Sequence, residues 1–213
     1  MSAPNIAVFD YGAGNVYSAV HALSRVGADA HLTQDPDELA QADGVLVPGV
    51  GAFGYVADRF RARGGERWLR SALEVDQPVL GVCVGMQILF EDSTELGEHR
   101  GLGALSGTVD RLPAPRLPHI GWASVVAPAQ TQLLSGLDGA YFYFVHSYAR
   151  LAGAPVTNLV HPDLPVAVAE LTYGAPFAAA VESGSLWGTQ FHPEKSGEPG
   201  LALLENWLRQ ISN

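Results

Sequence analysis

In the first half of the chain, short apolar runs at residues 6–9, 30–33, 45–47 and 79–82 alternate with stretches of helical pattern, the clearest being an amphipathic helix at 16–26. This alternation constrains the fold more than any other feature. Strands that follow one another through helices pair in parallel, the helices cover the sheet, and ligands bind beyond the carboxyl ends of the strands. The second half differs: residues 107–111, 123–126, 141–145, 166–171, 177–181 and 186–190 read as successive strands joined mostly by short turns, which favours antiparallel pairing. A connector with three prolines, 112–118, lies between the halves. Leu201, Leu204, Trp207, Leu208 and Ile211 recur at helical spacing and close the chain as an amphipathic helix. The expected architecture is a three-layer α/β fold, with a mostly parallel central sheet flanked by helices and an antiparallel extension in the second half. The 213 residues, 47% of them hydrophobic, suffice for one domain spanning 1–213.

The fourth apolar run ends in the only cysteine, within Pro78-Val79-Leu80-Gly81-Val82-Cys83-Val84-Gly85-Met86-Gln87. Glycines on both sides let the backbone turn sharply at Cys83, and residues 84–90 read as the apolar start of a helix. A thiol at such a turn lies near free amide donors and the positive end of the helix, which favour thiolate and can hold a developing oxyanion. A small buried core residue is the alternative, and the commoner one for a free cysteine. A catalytic cysteine needs a histidine and a carboxylate elsewhere.

Phe191-His192-Pro193-Glu194-Lys195-Ser196 supplies that pair. Pro193 biases His192 toward an extended backbone, in which residues two apart point to one side, so that His192 and Glu194 face one target. An imidazole within reach of a thiol takes its proton, and a nearby carboxylate fixes the ring and stabilises the imidazolium. A third segment, Pro48-Gly49-Val50-Gly51-Ala52-Phe53, follows a strand with a backbone free to approach a ligand and present amide donors. By itself it does not outweigh an ordinary turn between strand and helix. Asp10-Tyr11-Gly12-Ala13-Gly14-Asn15 has two glycines of a dinucleotide fingerprint, but Tyr17 stands where the third belongs, so no cofactor is expected.

Twenty-two acidic against 12 basic residues give a formal net charge of −10, with no basic cluster, which disfavours nucleic acid. No apolar run reaches the ~18–20 residues of a membrane span, and a lone cysteine forms no internal disulfide. A cytoplasmic protein is expected, with neither membrane association nor a metal.

With these segments together, the chain resembles the class I glutamine amidotransferases over nearly its whole length. The elbow at Cys83 and the Phe191-His192-Pro193-Glu194 loop carry the superfamily pattern. Asp10 to Asn15, Pro48 to Phe53, His119-Ile120-Gly121-Trp122, Tyr143-Phe144-Val145-His146-Ser147-Tyr148 and Lys195-Ser196 are similar to the branch of glutaminase subunits that serve imidazole glycerol phosphate synthase in histidine biosynthesis. Two positions depart from that branch: Ala123 replaces the usual asparagine after Gly-Trp, and Val84 the more frequent leucine after the nucleophile. The resemblance implies a flavodoxin-like sheet and a glutaminase. In it Cys83 attacks the side-chain amide of L-glutamine, His192 transfers the proton, Glu194 orients His192, and backbone amides of Val84 and of the Gly49–Val50–Gly51 loop hold the oxyanion. It further implies substrate contacts from Gly51, Gln87, Glu95, His146, Ser147 and Tyr148. The implied partner is a (β/α)₈ cyclase subunit in a heterodimer, met by Asn15, Trp122, Tyr143 and Lys195, which combines the ammonia with a phosphoribulosyl-formimino ribotide. Judged on residues alone, Gln87 also suits a helix cap, His146 and Tyr148 suit core positions, and Lys195 a solvated surface. An amidotransferase for another acceptor, or a binding domain without chemistry, are the other readings; an intact set of Cys83, His192 and Glu194 weighs against the last.

Overall fold

The computed structural model describes residues 3–211. Its first half follows the alternation: β1 (Asn5–Phe9), α1 (Val16–Arg25), β2 (Asp29–Thr33), α2 (Pro36–Gln41), β3 (Gly44–Gly49), α3 (Phe53–Ala62), α4 (Gly65–Glu74), β4 (Val79–Cys83) and a single turn, α5 (Val84–Gln87). Then come β5 (Asp92–Ser93), β6 (His99–Arg100), β7 (Thr108–Arg111), β8 (His119–Ser124), β9 (Tyr141–His146), β10 (Tyr148–Arg150), β11 (Ala167–Tyr173), β12 (Ala175–Ser183) and β13 (Leu186–Thr189). A 3₁₀ turn at Pro193–Lys195 and α6 (Gly197–Ile211) close the chain.

The central sheet has the order β11-β12-β13-β4-β3-β1-β2. β2, β1, β3, β4 and β13 run parallel, and β12 and β11 extend the sheet antiparallel. Every residue of β3, β4 and β13 is buried, as expected where helices cover both faces of a parallel sheet. α1 packs on α6, while α3 and α2 pack on α4. Phe9, Phe60 and Trp68 form an edge-to-face cluster beneath α3 and α4, with ring centroids 5.4–6.4 Å apart.

The second half is less uniform than its sequence suggests. β8 and β9 form a separate two-stranded ribbon, and β10-β7-β5-β6 a small second sheet. The strand expected at 123–126 lies earlier, at His119–Ser124, because its partners are the residues of β9, and Gly121 hides the alternation. Short turns hold for β11–β12 and β12–β13, but β8 and β9 are joined by residues 125–140, and β10 and β11 by 151–166. β13 pairs antiparallel with β12 and parallel with β4, so it belongs to both halves. The closing helix starts at Gly197, a turn before the expected 201. Connector 112–118 lies between β7 and β8 as expected.

Candidate active site

Three neighbouring parallel strands converge on one place. β3, β4 and β13 end side by side, with Gly49 in register with Cys83 and Thr189 with Val82, so the segments that leave them enter a common space. Cys83 has φ 57° and ψ −113°, a backbone conformation that a non-glycine residue holds only when its surroundings enforce it. They do so by close approach. A Cβ on Gly85 would lie 2.0 Å from the Val47 carbonyl oxygen, and one on Gly49 would lie 2.3 Å from the Gly85 nitrogen. Only glycine allows β3 to sit so near the elbow.

The sequence leads one to expect a helix over 84–90. It stops after Gln87 because the next carbonyls are claimed from outside: Leu102 N–H donates to Ile88 O at 2.7 Å, Ala104 and Leu105 to Leu89 O at 2.9 Å, and Gly103 to Phe90 O at 3.1 Å. A single turn carries little macrodipole. Polarisation at Cys83 therefore comes from the local amides of that turn, not from a long helix axis.

His192 and Glu194 meet, by a different geometry from simple alternation. His192 is extended (φ −101°, ψ 96°) and precedes the 3₁₀ turn that Pro193 opens, and from within that turn the Glu194 carboxylate accepts from His192 Nδ1 at 2.8 Å. Both side chains are at least 95% buried. The Ser196 hydroxyl donates to His192 O at 2.6 Å and accepts from Tyr143 N at 3.0 Å, and His192 N donates to Tyr143 O at 2.9 Å, which fixes the loop against β9. Nε2 of His192 makes no well-aligned hydrogen bond. Burial opposes charge on this imidazole, yet its interactions with the Cys83 sulfur and the Glu194 carboxylate prevail and push it up to about 10.

Cys83, Val84 and His192 line a pocket of about 200 Å³. Val50 and Gly51 form one wall, and Gly51 has φ 116°, open only to glycine. Gln87, Glu95, His146, Ser147 and Tyr148 line the rest, so every residue expected near the substrate reaches this pocket. Gly49 underlies it, in register with Cys83. Several have structural duties too. Glu95 accepts from Phe53 N at 2.7 Å and so anchors the end of the Gly49–Gly51 loop to the first turn of α3. Gln87 Nε2 donates to Tyr148 O at 2.8 Å and to Gln190 Oε1 at 2.9 Å.

His146 is satisfied at both ring nitrogens. Nδ1 lies 3.0 Å from Tyr148 O, an acceptor, and therefore carries the proton; Nε2 then accepts from His119 Nδ1 at 3.3 Å. Burial lowers His146 to about 3, the Tyr148 carbonyl working against the shift and His119 and His192 adding to it.

Of the four residues expected to meet a partner, Trp122 and Tyr143 share one face of the β8–β9 ribbon, and Asn15 and Lys195 lie on other segments. On the β8–β9 ribbon one face is buried, whereas Ile120, Trp122 and Tyr141 on the other are more than half exposed, with Tyr143 edge-on to Trp122 at 6.1 Å. Val145 continues this outer face and also lines the pocket. Asn15 precedes α1 but makes no capping bond, and Lys195 is exposed.

A thiol on a strained turn, an imidazole bonded to a carboxylate, and a pocket walled by a glycine loop form one constellation, and a family model, glutamine amidotransferase class-I, matches residues 7–211. The chain belongs to the class I glutamine amidotransferase family. Among curated amidotransferases it is 50% identical to imidazole glycerol phosphate synthase subunit HisH of Leifsonia xyli, over 99% of this chain and all of that one. It is 48% identical to the Thermobifida fusca subunit of the same name, over 98% and 99%. Solved structures share the amidotransferase fold at low identity. One described as a glutamine amidotransferase has a TM-score of 0.74 at 21% identity, covering 98% of this chain and 99% of that chain. PurLQS from Thermotoga maritima has a TM-score of 0.72 at 17%, with the same coverage.

Sequence reasoning about this amidotransferase missed three site residues. Gln190 donates Nε2–H toward Cys83 Sγ at 3.7 Å; the sole hint was a polar residue closing a buried strand. His119 stood in a motif but its pairing with His146 depends on ribbon register. Val145 passed as an ordinary strand residue. Among the described residues no group of three or more His, Cys, Asp and Glu is placed to hold a metal, and no helix is long and apolar enough to cross a membrane.

Proposed function

We infer that this chain is the glutaminase subunit of an imidazole glycerol phosphate synthase, acting in histidine biosynthesis in the cytoplasm. The observation that carries it is the meeting, at the ends of β4 and β13, of a strained Cys83 with a His192 charged through its contacts to Glu194 and sulfur. The near full-length likeness to two HisH subunits supports the acceptor pathway.

Cys83 Sγ attacks the carboxamide carbon of L-glutamine, and the carbonyl π electrons move onto oxygen. Amide N–H groups of Val84 and of the Gly49–Val50–Gly51 loop receive that oxyanion; loss of one such donor costs ~10²-fold or more in rate. The imidazolium of His192, held by Glu194, protonates the amide nitrogen as its bond to carbon breaks, releasing ammonia and leaving a glutamyl thioester. Water, deprotonated by His192, then attacks the thioester, and thiolate leaves to give glutamate. In the pocket, the Glu95 carboxylate meets the substrate ammonium, while Gly51, Gln87, Ser147 and Tyr148 align the rest. His146 has spent both ring nitrogens and contributes its face.

Ammonia in bulk water is protonated and lost as a nucleophile, so the product is passed directly to a (β/α)₈ cyclase. The outer ribbon face with Trp122 and Tyr143, together with Asn15 and Lys195, receives that partner, and Val145 joins this face to the pocket. Co-purification with the cyclase, followed by ribotide-dependent release of glutamate, tests the function. A stable complex with strongly stimulated release is expected; rapid hydrolysis by the isolated chain, unchanged by cyclase and ribotide, would overturn it.

A further inference from the structure

We propose that Gln190 is a catalytic hydrogen-bond donor to the Cys83 sulfur, locked in its orientation by a relay whose polarity is set by the Tyr148 carbonyl. The proposal rests on Cys83 being the nucleophile. Tyr148 O can only accept. The group of Gln87 that lies 2.8 Å from it is therefore the NH₂, not the carbonyl. The second N–H of that NH₂ points to Gln190 at 2.9 Å, so the Gln190 atom there is Oε1. It follows that the remaining end of the Gln190 amide, 3.7 Å from Sγ, is the NH₂. The same carbonyl fixes the other arm, through His146 Nδ1–H and then His119 Nδ1–H.

Gln190 has no exposed surface, and Gln87 is 2% exposed, so neither amide can turn to find water instead. Reversing Gln190 would set two NH₂ groups against each other and a carbonyl oxygen against sulfur, each a buried mismatch. An N–H aimed at sulfur acts twice. It favours thiolate before attack, and it favours thiolate again as the leaving group when the second tetrahedral adduct collapses. Gln190 thus offers the sulfur a hydrogen bond from the end of β13, while His192, in the loop after it, acts through its charge.

Iodoacetamide alkylation of the full-length chain, read by mass spectrometry, tests this, since Cys83 is the only thiol. Gln190→Met keeps the volume without the donor. Its alkylation rate at pH 7 is expected to fall about tenfold. Gln190→Leu, which likewise lacks a donor, is expected to fall as far. A wild-type rate at pH 7 in a folded Gln190→Met protein overturns the proposal. So does unchanged cyclase-stimulated glutamine turnover in that variant. If Gln190→Met does not fold, a wild-type rate in Gln190→Leu is the overturning result. Wild-type protein that resists a glutamine-analogue electrophile even with the cyclase present instead refutes the nucleophile, a separate failure.

Discussion

Two histidines line the same pocket, both almost completely buried, and they titrate in opposite directions. His192 is pushed up to about 10 and His146 down to about 3. Burial works against charge on both. What separates them is the partner: His192 lies between a carboxylate and the Cys83 sulfur, whereas His146 lies between a carbonyl oxygen and another imidazole. Position in the fold decides the partner, since one ring follows β13 of the central sheet and the other ends β9 of the ribbon. The two states also depend on each other. A second charge on His146 would repel the imidazolium, so a neutral His146 helps His192 to keep its proton.

Removing the sulfur should have the largest effect. Cys83→Ala is expected to lower cyclase-stimulated glutamine hydrolysis by roughly 10⁴-fold or more, and the His192 midpoint, followed by NMR, should move down from about 10. A midpoint that stays put would mean that sulfur does not help to charge the ring. Glu194→Gln comes next. It preserves shape but withdraws the second anionic partner, with an expected loss of about 10²–10⁴-fold and a further fall in the His192 midpoint. Unchanged turnover would remove Glu194 from its orienting role.

The contrast was only half visible in the sequence. His192, Pro193 and Glu194 are neighbours in the chain, so a local argument could pair them, even though the real link runs through a 3₁₀ turn. Likewise, apolar runs bounded by glycine and proline announced β1, β3 and β4, because a doubly covered strand has one dominant requirement, whereas β2, at the sheet edge and only partly buried, was announced by its apolar run alone. His146 could be read as substrate contact or core, and nothing local decides: its partner His119 is 27 residues earlier and meets it only through the register of β8 with β9. The amphipathic α4, with Trp68, Leu69, Ala72 and Leu73 on its buried face, was legible by period yet passed over. The early end of α5 was not legible, since residues 101–105 impose it from a distance.

Stability against pH should show both histidines. His192 is raised in the fold from 6.5 to about 10, so its contribution is complete below pH 6.5 and is lost as pH rises through 10. His146 is lowered from 6.5 to about 3, so its contribution is complete above pH 6.5 and is lost as pH falls through 3. His119, lowered by burial, adds to the acid side. Urea midpoints measured across this range should fall in both directions from near pH 6.5. His192→Ala should flatten the alkaline limb and His146→Phe the acid limb; the same variant flattening both would contradict separate origins.

The smallest effect, and the finest test, is His119→Phe. The ring of His119 stacks on Tyr173 at 4.1 Å and on Phe144 at 5.2 Å, contacts that phenylalanine can keep. What it cannot keep is the N–H that His146 Nε2 accepts. A buried acceptor left alone costs about 1–3 kcal/mol, measurable as a lower urea midpoint at pH 7. The acid limb should respond oppositely: without a donor pointing at it, Nε2 takes a proton more readily, so the His146 midpoint rises from about 3 toward ordinary values and less stability is lost between pH 6.5 and 3. If burial alone kept His146 neutral, the midpoint would not move, because the phenyl ring is no wetter than the imidazole it replaces. A variant that is weaker at pH 7 but less sensitive to acid would show that a hydrogen-bond partner, in addition to depth, holds this second histidine neutral beside the first.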